Sequence, residues 1–475
     1  MNDQILIYNT LSRKKERFIP KSPDEIKMYV CGPTVYDFSH LGHAKGYVSL
    51  DVVRRYLSWS GFDVIYVQNF TDVGHLTDDA DEGEDKIEKR AKESKVGPME
   101  LVDKFINAYF NDFRALNVLD PDIAPRPSKH IEEIIEFVEA LIKKGFAYEI
   151  MGSVYFDVTK FKDYGKLSGR TLEKAKTGTR IEARSEKRNP EDFALWIKAE
   201  PEHILKWDSP WSVGYPGWHI ECSVMSQKYL GNNFDIHGGG SDNIFPHNED
   251  EIAQSESLTG EKMANYWLHW GMVKIEGEKM SKSKGNSAFV SELLKNHDPM
   301  VIRLAILKSH YRSIIDFSEK LFTESAKNLD SIYTVLALLQ EVETEKSQAE
   351  TSSWLGEARQ GFISAMNDDF NTPLALSSIF DFTKKIKANL EKISITQALE
   401  IQAFYLDLDA VLGLGLDKVR PSKYELDEYL LEKINEREDA RERKDWQTAD
   451  RIRDELLKEG IELEDTASGV KYKKL

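Results

Sequence analysis

Cysteine is almost missing from this chain: its 475 residues include two, Cys31 and Cys222. So few and so far apart, they are poor candidates for a disulfide and fair ones for a metal or a nucleophile. No long apolar run occurs and no leader pattern opens the sequence. Neither membrane insertion nor export is therefore expected, and the protein is expected in the cytoplasm. Positive charge is in deficit, 64 Lys and Arg against 81 Asp and Glu for a net charge of −17. That balance excludes broad, non-specific nucleic-acid binding and leaves room for a local basic surface. Three motifs are absent as well. Without G-x-x-x-x-G-K-S/T there is no P-loop. Without G-x-S-x-G, the HGGG beginning at His237 is not the oxyanion loop of a lipase-like hydrolase. Without Pro-Cys-x-x-Cys, the HIE beginning at His219 is not half of a zinc deaminase signature.

What the chain does have is length enough for roughly two to four domains. KMYVCG, Lys27 to Gly32, reads as a buried strand closed by Gly-Pro, with Cys31 at its carboxyl end. HLGHAKGYVSLDVVRRYLSWSG has the period of a helix, and DVIYVQNFTD, Asp63 to Asp72, reads as a second strand. This order predicts an α/β fold with a doubly wound parallel sheet of the Rossmann type. Its ligands should gather beyond the carboxyl ends of the strands, near Cys31 and Thr71. The pattern then turns helical in SKHIEEIIEFVEALIKKG and forms a hairpin in AYEIMGSVYFDV, before FDIHGGG and WLHWGMVKIEG resume the sheet. The expected division is 1–96 for the first half of a catalytic domain, 97–208 for an insertion and 209–297 for the second half. Residues 298–417 form a helical bundle and 418–475 a small C-terminal domain. In that tail, REDARERKDWQTADRIRDELLKEG reads as a helix of mixed charge.

From Ile244 onward the pattern reads as a helix, which sets His247 and Glu251 one turn apart on one face. Cys222 falls in an early turn of a helix in GWHIECSVMSQKYLG. With Cys31 these residues make a plausible zinc set of two thiolates, an imidazole and a carboxylate. They also read as two small buried hydrophobes and a surface histidine. In PTVYDFSHLGH, His40 and His43 sit where a strand hands over to a helix whose N–H groups and dipole favour anions. Gly42 between them permits close approach to the backbone. GEKMSKSKGN is a polar loop with Lys279, Lys282 and Lys284, suited to closing over phosphates. Taken alone, each also reads as a solvated surface feature.

Taken together, HLGH after the first strand and KMSKS near the end of the sheet domain resemble the class I aminoacyl-tRNA synthetases. Cys31 before HLGH, GWHIECS, HGGGSDNIFPHNEDEIAQS and the terminal GIELEDTASGVKY extend the resemblance along the whole chain to the cysteinyl-tRNA synthetase family. Leu41 stands where other class I members often have isoleucine. The resemblance implies one zinc ion per chain on Cys31, Cys222, His247 and Glu251, and a cysteine pocket including Gly32, Thr71, Trp218 and Asp242. It implies ATP binding through His40, Gly42, His43, Lys279 and Lys282, the histidines and lysines serving catalysis, with Mg2+ accompanying the ATP. The implied reaction joins L-cysteine to ATP as cysteinyl-adenylate, transfers it to tRNA(Cys), and releases pyrophosphate and AMP. Zinc would select the thiolate, because an apolar pocket separates near-isosteres only ~100-fold. In the tail, Arg441, Trp446, Asp450 and Asp465 map to positions that touch the tRNA. A paralogue that delivers activated cysteine to an amino sugar shares the activation chemistry and lacks this tail.

Overall fold

The alternation in EIKMYV decides how the centre of the molecule is layered. In the computed structural model, which describes residues 5–74, 76, 85–170, 186–279, 288–419, 428–458, 461–466 and 469–474, this run is strand β1 (Glu25–Val30). Helix α1 (Leu41–Trp59) follows, then β2 (Asp63–Gln68). After the insertion come α2 (Trp218–Leu230), β3 (Phe234–Gly240), α3 (Glu249–Thr259) and β4 (Ala264–Trp270). The four strands are parallel and lie in the order β4-β3-β1-β2. Successive side chains of a strand face opposite ways. Met28 and Val30 accordingly join Leu50 and Val53 of α1, while Tyr29 and Cys31 join Cys222 and Met225 of α2 and Ile252 of α3. The sheet is covered on both faces, as the sequence predicts for a doubly wound Rossmann-type fold. The chain moves from β1 to β2 on one side and enters β3 on the other. In doubly wound sheets the crevice for ligands lies at that point, beyond the carboxyl ends of β1 and β3.

The insertion has helices at Pro98–Ala115 and Ile131–Lys144 and its own antiparallel sheet. The sheet pairs Ala147–Ile150, Ser153–Phe156, Phe193–Lys198 and Gly214–Pro216 in sequence. Its last strand lies beyond residue 208, where the sequence reading ends the insertion. WLHWGMVKIEG also divides: β4 stops at Trp270, and Val273–Ile275 enters a small separate sheet with Glu278–Lys279 and Ile315–Phe317. From Asp298 to Val419 one short strand, Ile315–Phe317, accompanies the helices Pro299–Leu307, Glu319–Leu339, Thr351–Asn367, Thr372–Ala388 and Ile395–Leu412. The tail departs from expectation, because its charged helix is two helices, Glu428–Glu442 and Trp446–Lys458. Between them Lys444 has a left-handed φ of 60°. Asp445 then caps the second helix by accepting from Thr448 N at 3.2 Å. A hairpin, Ile461–Thr466 with Gly469–Lys474, ends the fold. Among the described residues, no helix is long and apolar enough to cross a membrane.

A buried ion pair ties α1 to the helical region. The Arg303 guanidinium, fully buried, meets Asp51 Oδ2 at 2.5 Å and donates to the carbonyls of Leu116, Asn117 and Leu412 at 3.0, 3.0 and 2.6 Å. Asp51 also takes Arg55 Nε at 2.8 Å and Leu119 N at 3.0 Å. Removing one partner strands a charge in a dry interior. Asp51→Ala should therefore destabilise the protein by about 3–5 kcal/mol, read as a lower urea midpoint. A midpoint equal to wild type would show that the backbone carbonyls suffice for Arg303.

Candidate active site

Four chain segments deliver the candidate metal ligands to the crevice. Cys31 directly follows β1, and Cys222 lies one turn into α2. The sequence predicts His247 and Glu251 on one continuous helix, and the structure breaks that helix between them. His247 sits in an irregular wide turn, Ile244–Asn248, in which Phe245 is extended, and the regular helix starts at Glu249. The i, i+4 pairing survives, with His247 Nε2 3.0 Å from Glu251 Oε1. Cys31 Sγ lies 3.6 Å from the same oxygen. All four donor atoms lie within 4.8 Å of one another and all four residues are buried. Two sulfurs, an imidazole nitrogen and a carboxylate oxygen are the donors zinc prefers, at bonds of ~2.0–2.3 Å. The surroundings agree with a cation there. Burial pushes the Cys31 thiol up and the Cys222 thiol further up. Burial also opposes ionisation of Glu251, but His237 and His247 outweigh it and hold that carboxyl well below the usual range. A bound cation offsets the same cost for thiolates.

The ligands are held in turn by residues the sequence reading missed. His237 Nε2 lies 2.7 Å from Glu251 Oε2, and Asn248 Nδ2 donates to Oε1 at 2.8 Å. His219 Nδ1 is 2.9 Å from His247 Nδ1. Such outer contacts fix the orientation of metal ligands. No local pattern identifies them. His237 and His219 stand in the two stretches whose resemblance to hydrolase and deaminase signatures was set aside, and His237 reaches this face through its register opposite Tyr29.

Of the residues matched to a cysteine pocket, Gly32, Thr71 and Trp218 adjoin this cluster. Trp218 opens α2 and stacks on the His247 ring with centroids 4.6 Å apart. Gly32 is required by a close approach, since a Cβ there would stand 1.5 Å from the Asn69 carbonyl oxygen. Thr71 is buried beyond the end of β2, where its hydroxyl donates to Glu221 Oε2 at 2.8 Å. Burial raises the Glu221 carboxyl well above its ordinary range. Asp242 follows β3, beside Gly240, where a Cβ would come 2.3 Å from Asp242 Oδ1.

The HLGH histidines form the start of α1. His40 is its N-cap, and the two residues satisfy each other's backbone: His43 N donates to His40 Nδ1 at 3.3 Å, and His40 N to His43 Nδ1 at 3.4 Å. The rings stack at 3.8 Å. With both Nδ1 atoms accepting, each neutral ring carries its proton on Nε2, at a helix N-terminus. Gly42, between them, is the second residue of the helix. Tertiary pairing sets this motif against the residues that follow the lysine loop. Leu41 N donates to Ala288 O at 3.0 Å, and Val290 N to Ser39 O at 2.8 Å. Lys279 closes the strand Glu278–Lys279; its side chain, and all of Lys282, lie outside the described residues.

In the tail, Arg441 is in the last turn of Glu428–Glu442 and pairs with Glu438 at 3.8 Å. Trp446 begins the next helix and is 58 % exposed, and Asp450 is exposed one turn on. Asp465 lies in strand Ile461–Thr466, its side chain outside the described residues.

Residues 17–327 match the family model described as the tRNA synthetases class I (C) catalytic domain, and 361–417 match the DALR domain. The chain is 47 % identical to the cysteine–tRNA ligase of Chlorobium chlorochromatii, covering 98 % of each chain. Against the cysteine–tRNA ligase of Thermococcus gammatolerans it is also 47 % identical, covering 99 % of each. In fold it is similar to Mycobacterium tuberculosis methionyl-tRNA synthetase, solved in complex with methionyl-adenylate. The TM-score there is 0.62 at 14 % identity, over 83 % of this chain and 93 % of that one. The chain belongs to the cysteine–tRNA ligase family of class I aminoacyl-tRNA synthetases.

Proposed function

We propose that this protein activates L-cysteine with ATP as cysteinyl-adenylate and transfers it to tRNA(Cys). The observation that carries the reading is the convergence of Cys31, Cys222, His247 and Glu251 at the carboxyl end of the sheet that also presents the HLGH helix. Zinc held by those four residues would supply a soft Lewis-acid contact for the substrate sulfur, which shape alone cannot give. The chain's own part in activation is alignment and charge stabilisation rather than covalent attack. Thr71 and Asp242 would hold the substrate ammonium, with Gly32 letting it approach the backbone. Trp218 would close the pocket against His247. His40 and His43 would donate Nε2–H bonds to phosphate oxygens, with Gly42 allowing close approach to the backbone, and Lys279 and Lys282 would cover the departing pyrophosphate. Magnesium would accompany the ATP. Residues 1–96 and 209–297 would form the catalytic domain around the 97–208 insertion. Residues 298–417 would lie along the tRNA, and 418–475 would read it through Arg441, Trp446, Asp450 and Asp465. The protein would work in the cytoplasm.

Charging of purified cysteine tRNA with labelled cysteine tests this directly. Label should appear on the tRNA only with ATP present, and its absence under conditions that give cysteine-dependent ATP–pyrophosphate exchange would favour a different acceptor. Metal analysis of protein purified without added zinc should give about one zinc per chain. An active, fully folded preparation with far less would remove the metal from the mechanism.

A further inference from the structure

One loop, Ser309 to Ser313, is gripped from two sides by buried polar side chains that the activation chemistry does not use. On one side stands Asp369, fully buried in the turn between helices Thr351–Asn367 and Thr372–Ala388. Its Oδ2 takes Arg312 Nε at 2.7 Å and Arg312 Nη2 at 2.5 Å, with His310 Nε2 3.6 Å away. Its Oδ1 takes Tyr8 N and the Tyr311 hydroxyl, each at 2.8 Å. On the other side Lys45, fully buried on α1 two residues past His43, donates to the Ser313 carbonyl. A guanidinium and a backbone N–H only donate, and an amine donates to a carbonyl in either charge state. Both grips therefore stand whatever the protonation of their members.

The loop also packs on the end of the central sheet. Gly271, directly after β4, donates its N–H to the Tyr311 carbonyl at 2.9 Å, and a Cβ there would stand 2.5 Å from the carbonyl oxygens of Arg312 and Ser313. Just past Ser313, strand Ile315–Phe317 pairs with Val273–Ile275, which pairs with Glu278–Lys279 at the entry to the lysine loop. The residues after the lysine loop bond to HLGH directly, through Leu41 N and Ala288 O. Its entry is joined to the same helix by way of Ser309–Ser313.

We propose that Asp369 and Lys45 are positioning residues for the nucleotide site: from opposite sides of this loop they fix the small sheet that carries Lys279 at its distance from the HLGH helix. This rests on the reading of HLGH and the lysine loop as the ATP site. Both residues are buried, so they act through the loop. Misplacing phosphate contacts by about 1 Å is enough to cost on the order of a hundredfold in rate.

ATP–pyrophosphate exchange gives the KM for ATP and for cysteine. Asp369→Asn keeps the volume and suits the left-handed φ of 63° at this position, but offers one acceptor oxygen in place of two. Its KM for ATP should rise about tenfold while that for cysteine stays within about twofold. Lys45→Met, which removes the donor, should do the same. Lys45 and Asp369 share no hydrogen bond or ion pair, so independent effects would multiply in the double variant. Action through one loop predicts instead a double variant within about twofold of the worse single one. Multiplied effects, an equal rise in both KM values, or no rise in the KM for ATP would overturn the proposal. A smaller folded fraction lowers kcat alone and leaves both KM values in place, so it cannot imitate the expected result. Should Asp369→Asn fail to fold, Arg312→Met takes its place in the cycle with the same outcomes. Absence of cysteine-dependent exchange in the wild-type protein would refute the reading of the ATP site, and the proposal with it.

Discussion

Cys222→Ala is expected to lower kcat/KM for cysteine by more than about a hundredfold, together with loss of bound metal. Altering a contact behind a metal ligand already costs about 10–100-fold, and here a ligand itself is removed. The three donors that remain, Cys31, His247 and Glu251, stay buried within the cluster, where an incomplete site carries their desolvation cost without the fourth bond. ATP affinity should be nearly unchanged, because the HLGH histidines belong to α1, which packs against the opposite face of the sheet from α2. The checks are zinc content, cysteine-dependent ATP–pyrophosphate exchange and ATP binding by calorimetry. The side chain is small and sits early in α2, so the fold should persist, and circular dichroism confirms that before the kinetics are interpreted. A folded, metal-free variant with wild-type exchange would mean that Cys222 is a packing residue and that thiol selection resides elsewhere.

Ending the chain after Val419 should leave adenylate formation intact and reduce kcat/KM for tRNA on the order of a hundredfold, with a flatter salt dependence. The tail has an apolar cluster of its own, Ile434, Ile452, Leu456, Ile461 and Leu463 with Val470 against it, so its removal exposes little of the rest. It also concentrates side chains of the kinds that bind nucleic acid. Trp446 is largely exposed at the start of a helix, and Arg443, Arg451 and Arg453 are exposed around it. Stacking on Trp446 and phosphate contacts from the arginines are the sources of the expected loss. Charging by full-length and truncated protein across a salt series, with exchange as the internal control, measures it. Equal charging by both forms would show that the tail does not contact tRNA and would favour delivery of cysteine to a small acceptor.

Much of the site was legible because it is written in local pattern. The apolar run before Cys31, the helical period after HLGH and the β-branched run Asp63–Gln68 each report a structure formed by neighbours in sequence. Residue chemistry narrowed the ligands further, since a chain with two cysteines has few ways to build a zinc site. Local pattern was weakest at element ends. It ran the metal-site helix back through Phe245 and carried the tail helix across Lys444, because a single residue's φ/ψ changes there without changing the hydrophobic period.

The sequence by itself thus determined the composition of the site, two thiols, a His/Glu pair and the HLGH helix start, and the α/β class that would present them. The tertiary structure alone decided which residues stand behind them. His237 reaches Glu251 because β3 pairs with β1 in a register that puts it opposite Tyr29. HLGH meets the residues after the lysine loop because Leu41 bonds to Ala288. Asn69 links Gly32 to Thr71 because β2 lies on the other side of β1. These are contacts between segments far apart in the chain. Strand register is selected by the fit of whole buried faces, and a slip of one residue would turn every side chain to the opposite face, a condition that no single stretch of sequence contains.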